Sequence, residues 1–167
     1  MLFEKFDIDS KNASVYYIFD RDRDSNNSQI IYDLLGVLGN SKDNGDSPNG
    51  LLLLSYPCLE TFIISCFKNN CYSLEIEQKD IKSYINVCKY NQCNININEL
   101  ENSCKEMINS IYNLLNYKLR NEDLDNFSET NIKLFEEQEQ NYETNNYYNL
   151  LSLLIVSFID LGIINLP

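Results

Sequence analysis

No histidine occurs anywhere in the 167-residue chain. Ser-His-Asp and Cys-His nucleophilic catalysis are therefore excluded, because both need an imidazole base. Positive charge is also scarce: 13 lysines and arginines stand against 25 aspartates and glutamates, for a net charge of −12. Phosphate contacts need Lys and Arg, so the general surface is a poor binder of nucleic acid. Nucleic-acid chemistry would then run only through metal ions, a local basic patch or a basic partner. Long apolar runs are missing too. The longest candidate, 150–164, is interrupted by Ser152, Ser157, Asp160 and Gly162, and a bilayer span needs about 18–20 apolar residues. The opening MLFEKFDIDSKN lacks the basic region and apolar core of a signal peptide, so a cytoplasmic location and no membrane partner are expected. No internal repeat is visible.

What remains suits one globular domain large enough to bury a core. The run VYYIF at 15–19 reads as a strand buried on both faces, as in the centre of a parallel sheet. A turn and cap cluster, Ser25-Asn26-Asn27-Ser28, launches a helix over 29–38 with Ile30, Ile31, Leu34, Leu35 and Leu38 inward. GNSKDNGDSPNG at 39–50 is a loop. Residues 51–54 form a second buried strand, stopped at Pro57, and 58–69 a helix with Leu59, Phe62, Ile63, Cys66 and Phe67 inward. Strand, helix, strand, helix is the grammar of a parallel sheet. Beyond residue 76 helices dominate: 80–89, then 98–120 with Asn98 and Glu101 as a capping arrangement. Residues 128–141 read as a solvated acidic helix and 147–161 as the most apolar helix, packed inside or against a partner. Ile95 and Ile97 alternate as a short extra strand. The expectation is an α/β fold: a small parallel-type sheet in a core over 1–75, carrying a helical region over 76–167.

Six cysteines include two C-x4-C pairs, Cys66–Cys71 and Cys88–Cys93. Structural zinc sites favour two to four intervening residues at a turn, whereas these pairs fall on or beside helices. Reduced, mostly buried thiols are the better reading.

The chemistry concentrates where the first strand ends, in Asp20, Asp22 and Asp24 of FDRDRD. Ligands in parallel sheets bind beyond the carboxyl ends of strands. Close carboxylates there invite a hard cation, and Mg²⁺ needs only one or two of them plus water and substrate phosphates. The competing reading is a solvated turn in which Arg21 and Arg23 pair the aspartates. The second strand would bring Ser55, Tyr56 and Glu60 to the same edge, making a phosphate-and-metal constellation. Glu60 also suits a helix N-terminus without any such role.

These residues have a family resemblance. FDRDRDS, a helix, a variable loop and then LLLLSYPCLETFIISCF resembles bacterial RloB-like proteins and related TOPRIM-like families, over about 14–67. The resemblance implies a reduced TOPRIM-like fold and Mg²⁺-dependent (or Mn²⁺-dependent) processing of nucleic-acid phosphodiesters. It further implies a phage-defence setting, often beside an ATPase, with Asp20 and Asp22 as metal ligands and Asp24 and Glu60 in support. By the same likeness Asp20, Asp22 and Glu60 are the catalytic candidates, and Asp20, Asp22 and Asp24 the metal set. The family pattern also has a glutamate in an E-G motif ending an earlier strand. Here Glu4 has neither the strand nor the glycine around it. A fragmentary chain, a strand supplied by a partner, or a fold that persists without full chemistry each account for this. Two functions follow: a Mg²⁺-dependent nuclease domain, or a non-catalytic acidic protein such as a phage-encoded inhibitor of a CRISPR-type or restriction-type complex.

Overall fold

The computed structural model describes residues 13–24, 26–42 and 49–167. Glu4 and the rest of 1–12, Ser25 of the turn cluster and the loop centre 43–48 lie outside the described residues. Within them the fold is α/β, with a small mixed sheet of four strands and a predominance of helix.

The organising element is β3 (Gly50–Tyr56), whose seven residues are all buried. Strand β1 (Tyr16–Asp20) runs parallel to it along one side, in a register that pairs Tyr16 with Leu51 and Asp20 with Ser55. On the other side two short strands share the edge. Strand β2 (Gly39–Asn40) pairs antiparallel with its start, and β4 (Leu151–Ser152) with its end. The gap between them is bridged by a side chain: Asn131 Nδ2 donates to the Leu52 carbonyl at 2.6 Å. A buried carbonyl that has lost water is thereby satisfied.

The parallel pair joined through a helix is as the sequence implies, but the burial is not. β1 lies at the edge of the sheet and alternates, with Tyr17 39% and Phe19 44% exposed. An apolar run carries no sign of which strand has neighbours on both sides, and the doubly covered strand is β3.

Helix α1 (Ser28–Val37) is capped by Asn27, whose side chain accepts from the amides of Gln29 and Ile30. Ile31 and Leu35 are its buried residues, while Ile30 is turned outward at 60% exposure. Helix α2 (Thr61–Phe67) is shorter than the pattern implies: it buries Thr61, Ile64, Ser65 and Cys66, with Leu59 exposed before it. Helix α3 (Ile81–Cys88) follows a single 3-10 turn and buries Ile81 and Ile85.

The long helix α4 (Ile97–Leu115) begins one residue before the expected 98–120 span and ends at Leu115, short of residue 120. Asn96 and Glu99 form the capping box, not Asn98 and Glu101. The same cap removes the expected strand at Ile95 and Ile97, since a 3-10 turn at Gln92–Asn94 and the helix start occupy that stretch.

A short helix α5 (Asn121–Asp125) precedes α6 (Ser128–Asn145), and α6 is the largest departure from expectation. Its polar sequence reads as a solvated face, yet Thr130, Asn131, Leu134, Phe135 and Gln138 are buried against α1 and α4. The apolar segment after it is not one helix. It forms β4 and then α7 (Leu154–Asp160), because β3 still has an unfilled edge for it to pair with. One hydrophobic cluster joins Ile31, the β3 leucines, Met107, Ile111, Leu134 and Ile155, so both halves of the chain share a core. A smaller cluster, including Ile64, Ile81 and Leu150, underlies α2 and α3.

Candidate functional site

The parallel register brings the ends of β1 and β3 level, and Arg21 N donates to Ser55 O at 2.9 Å. The chain leaving β3 then folds over the end of β1, where Leu59 N donates to Asp20 Oδ1 at 2.6 Å. This backbone bond sets Asp20 beside Glu60, forty residues away in sequence. Burial raises the Asp20 carboxyl pKa, the Leu59 amide opposes this, and the charges of Glu60 and Asp22 raise it further.

Glu60 behaves oppositely. Burial alone would raise its pKa, but Lys82, whose Nζ lies 3.1 Å from Oε1, its own backbone amide and the Cys58 thiol together lower it. The Cys58 thiol is pushed up to about 12, by burial first and then by Glu60, so it is not a nucleophile at neutral pH.

Asp20 and Asp22 fall on one side of the extended chain and Arg21 on the other. Arg21 is 0% exposed. Its Nε and Nη2 both reach the Glu139 carboxylate at 2.8 Å, Nη2 also donates to Ser28 Oγ at 2.7 Å, and Nη1 donates to the Asn26 carbonyl at 3.1 Å. The guanidinium lies 5.5 Å from the Phe135 ring centroid and 5.8 Å from that of Tyr148. Burial would raise the Glu139 pKa, but bonds from Arg21, Ser28 and Tyr148 lower it. The competing reading in which Arg21 pairs the neighbouring aspartates is therefore corrected: its partner is Glu139, from the helix read as a solvated face. Arg23 sits over the Tyr142 ring at 4.7 Å and 3.7 Å from Glu143.

Asp22 Oδ1 accepts from the amide of Asp24 at 3.0 Å, closing the turn that follows β1, and Asp24 itself is exposed. Ser55 and Tyr56 do not face this edge. Ser55 Oγ is bonded to Ser152 Oγ at 2.9 Å inside the sheet, and Tyr56 is fully buried, edge-on to Tyr148. Period two explains both: in a strand covered on both faces, no side chain reaches the surface. Among the described residues no group of three or more Asp, Glu or Cys side chains is arranged to hold a metal ion. All six cysteines are free thiols.

The structure thus brings together Asp20, Asp22 and Glu60, adds Lys82 to them, and anchors the segment through Arg21 and Glu139. Lys82 had no signal in the sequence. Arg21 had one, since alternation within D-R-D puts it opposite the aspartates. Beside this edge a cavity of about 180 Å³ is lined in part by Asp22, Arg23, Asp24, Pro57 and Tyr147. Asp20 and Glu60 stand outside its lining.

No family model, curated protein or solved structure matches the chain. Among the described residues no helix is long and apolar enough to cross a membrane.

Proposed function

We propose that the chain is a reduced TOPRIM-like unit that binds Mg²⁺ or Mn²⁺ through Asp20 and Asp22, with Asp24 and Glu60 in support, and processes nucleic-acid phosphodiesters in a bacterial anti-phage system beside an ATPase. The observation that carries the reading is the pairing of Asp20 with Glu60 at the carboxyl edge of the parallel β1–β3 pair. Burial first, and then the charges of Glu60 and Asp22, raise the Asp20 pKa, and the Leu59 amide and Lys82 only partly oppose them. Carboxylate oxygens suit a hard cation, and Mg²⁺ takes only one or two protein carboxylates, leaving its other positions to water and phosphate. A bound Mg²⁺ would offset phosphate charge and supply a Lewis acid. The chain's own part is to hold the carboxylates in place: the Leu59 amide orients Asp20, the Asp24 amide orients Asp22, and Lys82 restrains Glu60.

The test is thermal melting during Mg²⁺ and Mn²⁺ titration of the wild type and Asp20→Asn. A saturable rise in the wild type, lost in the variant, is expected, with nuclease assays beside an ATPase to follow. A flat response in both removes the metal reading.

A second reading, a non-catalytic acidic interaction protein such as a phage-encoded inhibitor, is favoured by a different observation. A groove of about 660 Å³ along α4, α5 and α6 has Leu114 and Leu115 in its lining together with Glu122, Asp123, Glu129, Glu136 and Glu137, against Lys133 alone. Such a surface suits a basic partner, and its association would weaken with salt. Charge reversal at Glu136 and Glu137 that left partner binding unchanged would remove this assignment.

A further inference from the structure

The cavity beside the acidic edge lies between the 22–24 turn, Pro57, residues 76–79 and the end of α6. It is built differently from a metal site. Three tyrosines line it, Tyr142, Tyr147 and Tyr148, together with Pro57 and Ile76. Tyr148 is committed to the interior, its hydroxyl donating to Glu139 Oε1 at 2.7 Å. Tyr142 is held between Tyr148, with ring centroids 4.6 Å apart, and the Arg23 guanidinium. Tyr147 is half-buried and lines the same cavity. Set among these planar groups are the carboxylates of Asp22, Asp24 and Glu77, the last paired with the Lys79 ammonium of the same lining at 2.6 Å.

We propose that this cavity binds one nucleobase. Stacked aromatic and guanidinium surfaces select a flat, polarisable ring. With Glu77 paired to Lys79, the Asp22 and Asp24 carboxylates, which only accept hydrogen bonds, select a ring edge rich in N–H donors. Guanine offers two such donors side by side, N1–H and the N2 amino group, whereas uracil offers a single N–H flanked by carbonyls that a carboxylate repels. The same carboxylates disfavour a bare phosphate. The volume is below the roughly 300–1,000 Å³ of pockets that enclose a drug-sized ligand. It therefore takes the base and leaves sugar and phosphate outside. A net charge of −12 argues against tracking a long phosphate backbone. The base comes from a free nucleotide or from one nucleotide splayed out of a strand.

The cavity shares Asp22 and Asp24 with the metal reading, so its test keeps metal out. Isothermal titration of the full chain in EDTA would use GMP, guanosine, UMP, ribose 5-phosphate and a short guanine-containing single strand. GMP and guanosine are expected to bind saturably, with UMP at least ~10-fold weaker and Tyr147→Ala weakening GMP by ~10-fold or more. Because Tyr147 is half-buried, Asp24→Asn on the exposed turn gives a second variant, expected to fold normally and to shrink the preference for GMP over UMP. An oligonucleotide tighter than GMP, with the same dependence on Tyr147, would place the base within a strand; equal affinity would place it on a free nucleotide. No saturable binding of GMP or of the oligonucleotide, ribose 5-phosphate binding as well as GMP, or affinity unchanged in both variants, would overturn the proposal. Asp20→Asn should leave GMP binding intact, so a failed metal titration and a failed base titration are read separately.

Discussion

Asp20, Arg21 and Asp22 are consecutive, yet their environments differ completely. Asp20 has its pKa raised, so its ionised form is worse accommodated in the folded chain than in the unfolded one. The stability linked to its protonated form is present at pH below the unfolded carboxyl value and is lost as pH rises through the higher folded value. Asp20→Asn removes the charge and keeps an oxygen for the Leu59 amide. In metal-free buffer it is expected to raise the melting temperature at pH 7 by roughly 1–3 °C, with the gain shrinking as pH falls through the folded carboxyl value and gone below the unfolded one. Equal melting curves at pH 7 would show that the crowding of carboxylates costs the fold nothing. Arg21 and Glu139 behave in the reverse sense. The Glu139 pKa is lowered, so its contribution is present above the unfolded carboxyl value and disappears as pH falls through the folded one. Glu139→Gln leaves the fully buried guanidinium without its counter-charge, and a loss of about 3–5 kcal/mol in denaturant unfolding at pH 7 is expected. The loss should narrow in acid, where wild-type Glu139 is itself neutral.

At the scale of elements, the decisive one is β3. It has β1 along its whole length on one side, but β2, Asn131 and β4 divide the other. Asn131→Leu keeps an apolar contact in a buried position while stripping the Leu52 carbonyl of its donor. A cost of about 1–3 kcal/mol in urea unfolding is expected, the usual penalty of a buried unpaired polar group. A change within error would mean that water or a backbone shift replaces the amide. The boundary of α4 belongs here as well. The apolar period within 98–120 identified the helix, but its start is set by hydrogen bonding at Asn96, where Glu99 Oε2 accepts from the Asn96 amide at 3.1 Å. Periodicity reports which face is buried and is silent on where the first unsatisfied amides find acceptors.

At the scale of the whole molecule, the two halves of the chain are interlocked at more than one place. Asp160, at the end of α7, accepts from Tyr16 of β1 and from Ser41 Oγ at 2.6 Å, and pairs with Lys42 Nζ at 2.7 Å. Asn149 N donates to Gln138 Oε1 at 3.0 Å, and Asn149 Nδ2 to the Tyr72 carbonyl at 3.3 Å, fixing the segment before β4. Thiol chemistry reads this packing directly. Cys58, Cys66, Cys71 and Cys104 are buried, Cys88 is partly covered and Cys93 is exposed. Native-state titration with a disulfide reagent is expected to show one fast thiol, removed by Cys93→Ser, and six thiols in denaturant. Several fast thiols in the native state would contradict the interior described here.

The resemblance over 14–67 rests on two motifs that meet at a single edge of the fold, and part of that meeting was legible in advance. The βαβ order, the acidic end of β1 and the approach of Glu60 follow from a strand, a helix-length segment and a second strand. Ser55 and Tyr56 were misplaced because a stretch of apolar letters does not say how many faces of its strand are covered. Glu139 was misplaced because α6 is polar in composition: the Asn131 amide nitrogen, the buried Gln138 and the half-buried Glu139 each find a partner elsewhere in the chain.

By itself the sequence determined that the protein is α/β, that the strands it places at 15–19 and 51–54 run parallel, that imidazole chemistry is absent and that carboxylates gather at one strand end. Local propensity, period and composition are properties of contiguous residues, so they need no fold to be read. Only the tertiary structure decided that β1 is an edge strand, that β4 interrupts the last apolar segment and that Arg21 answers Glu139 across 118 positions. Each of these is a choice of partner between distant groups. Such choices are made by the cost of leaving a buried carbonyl, amide or charge unpaired, and that cost exists only once the chain has closed on itself.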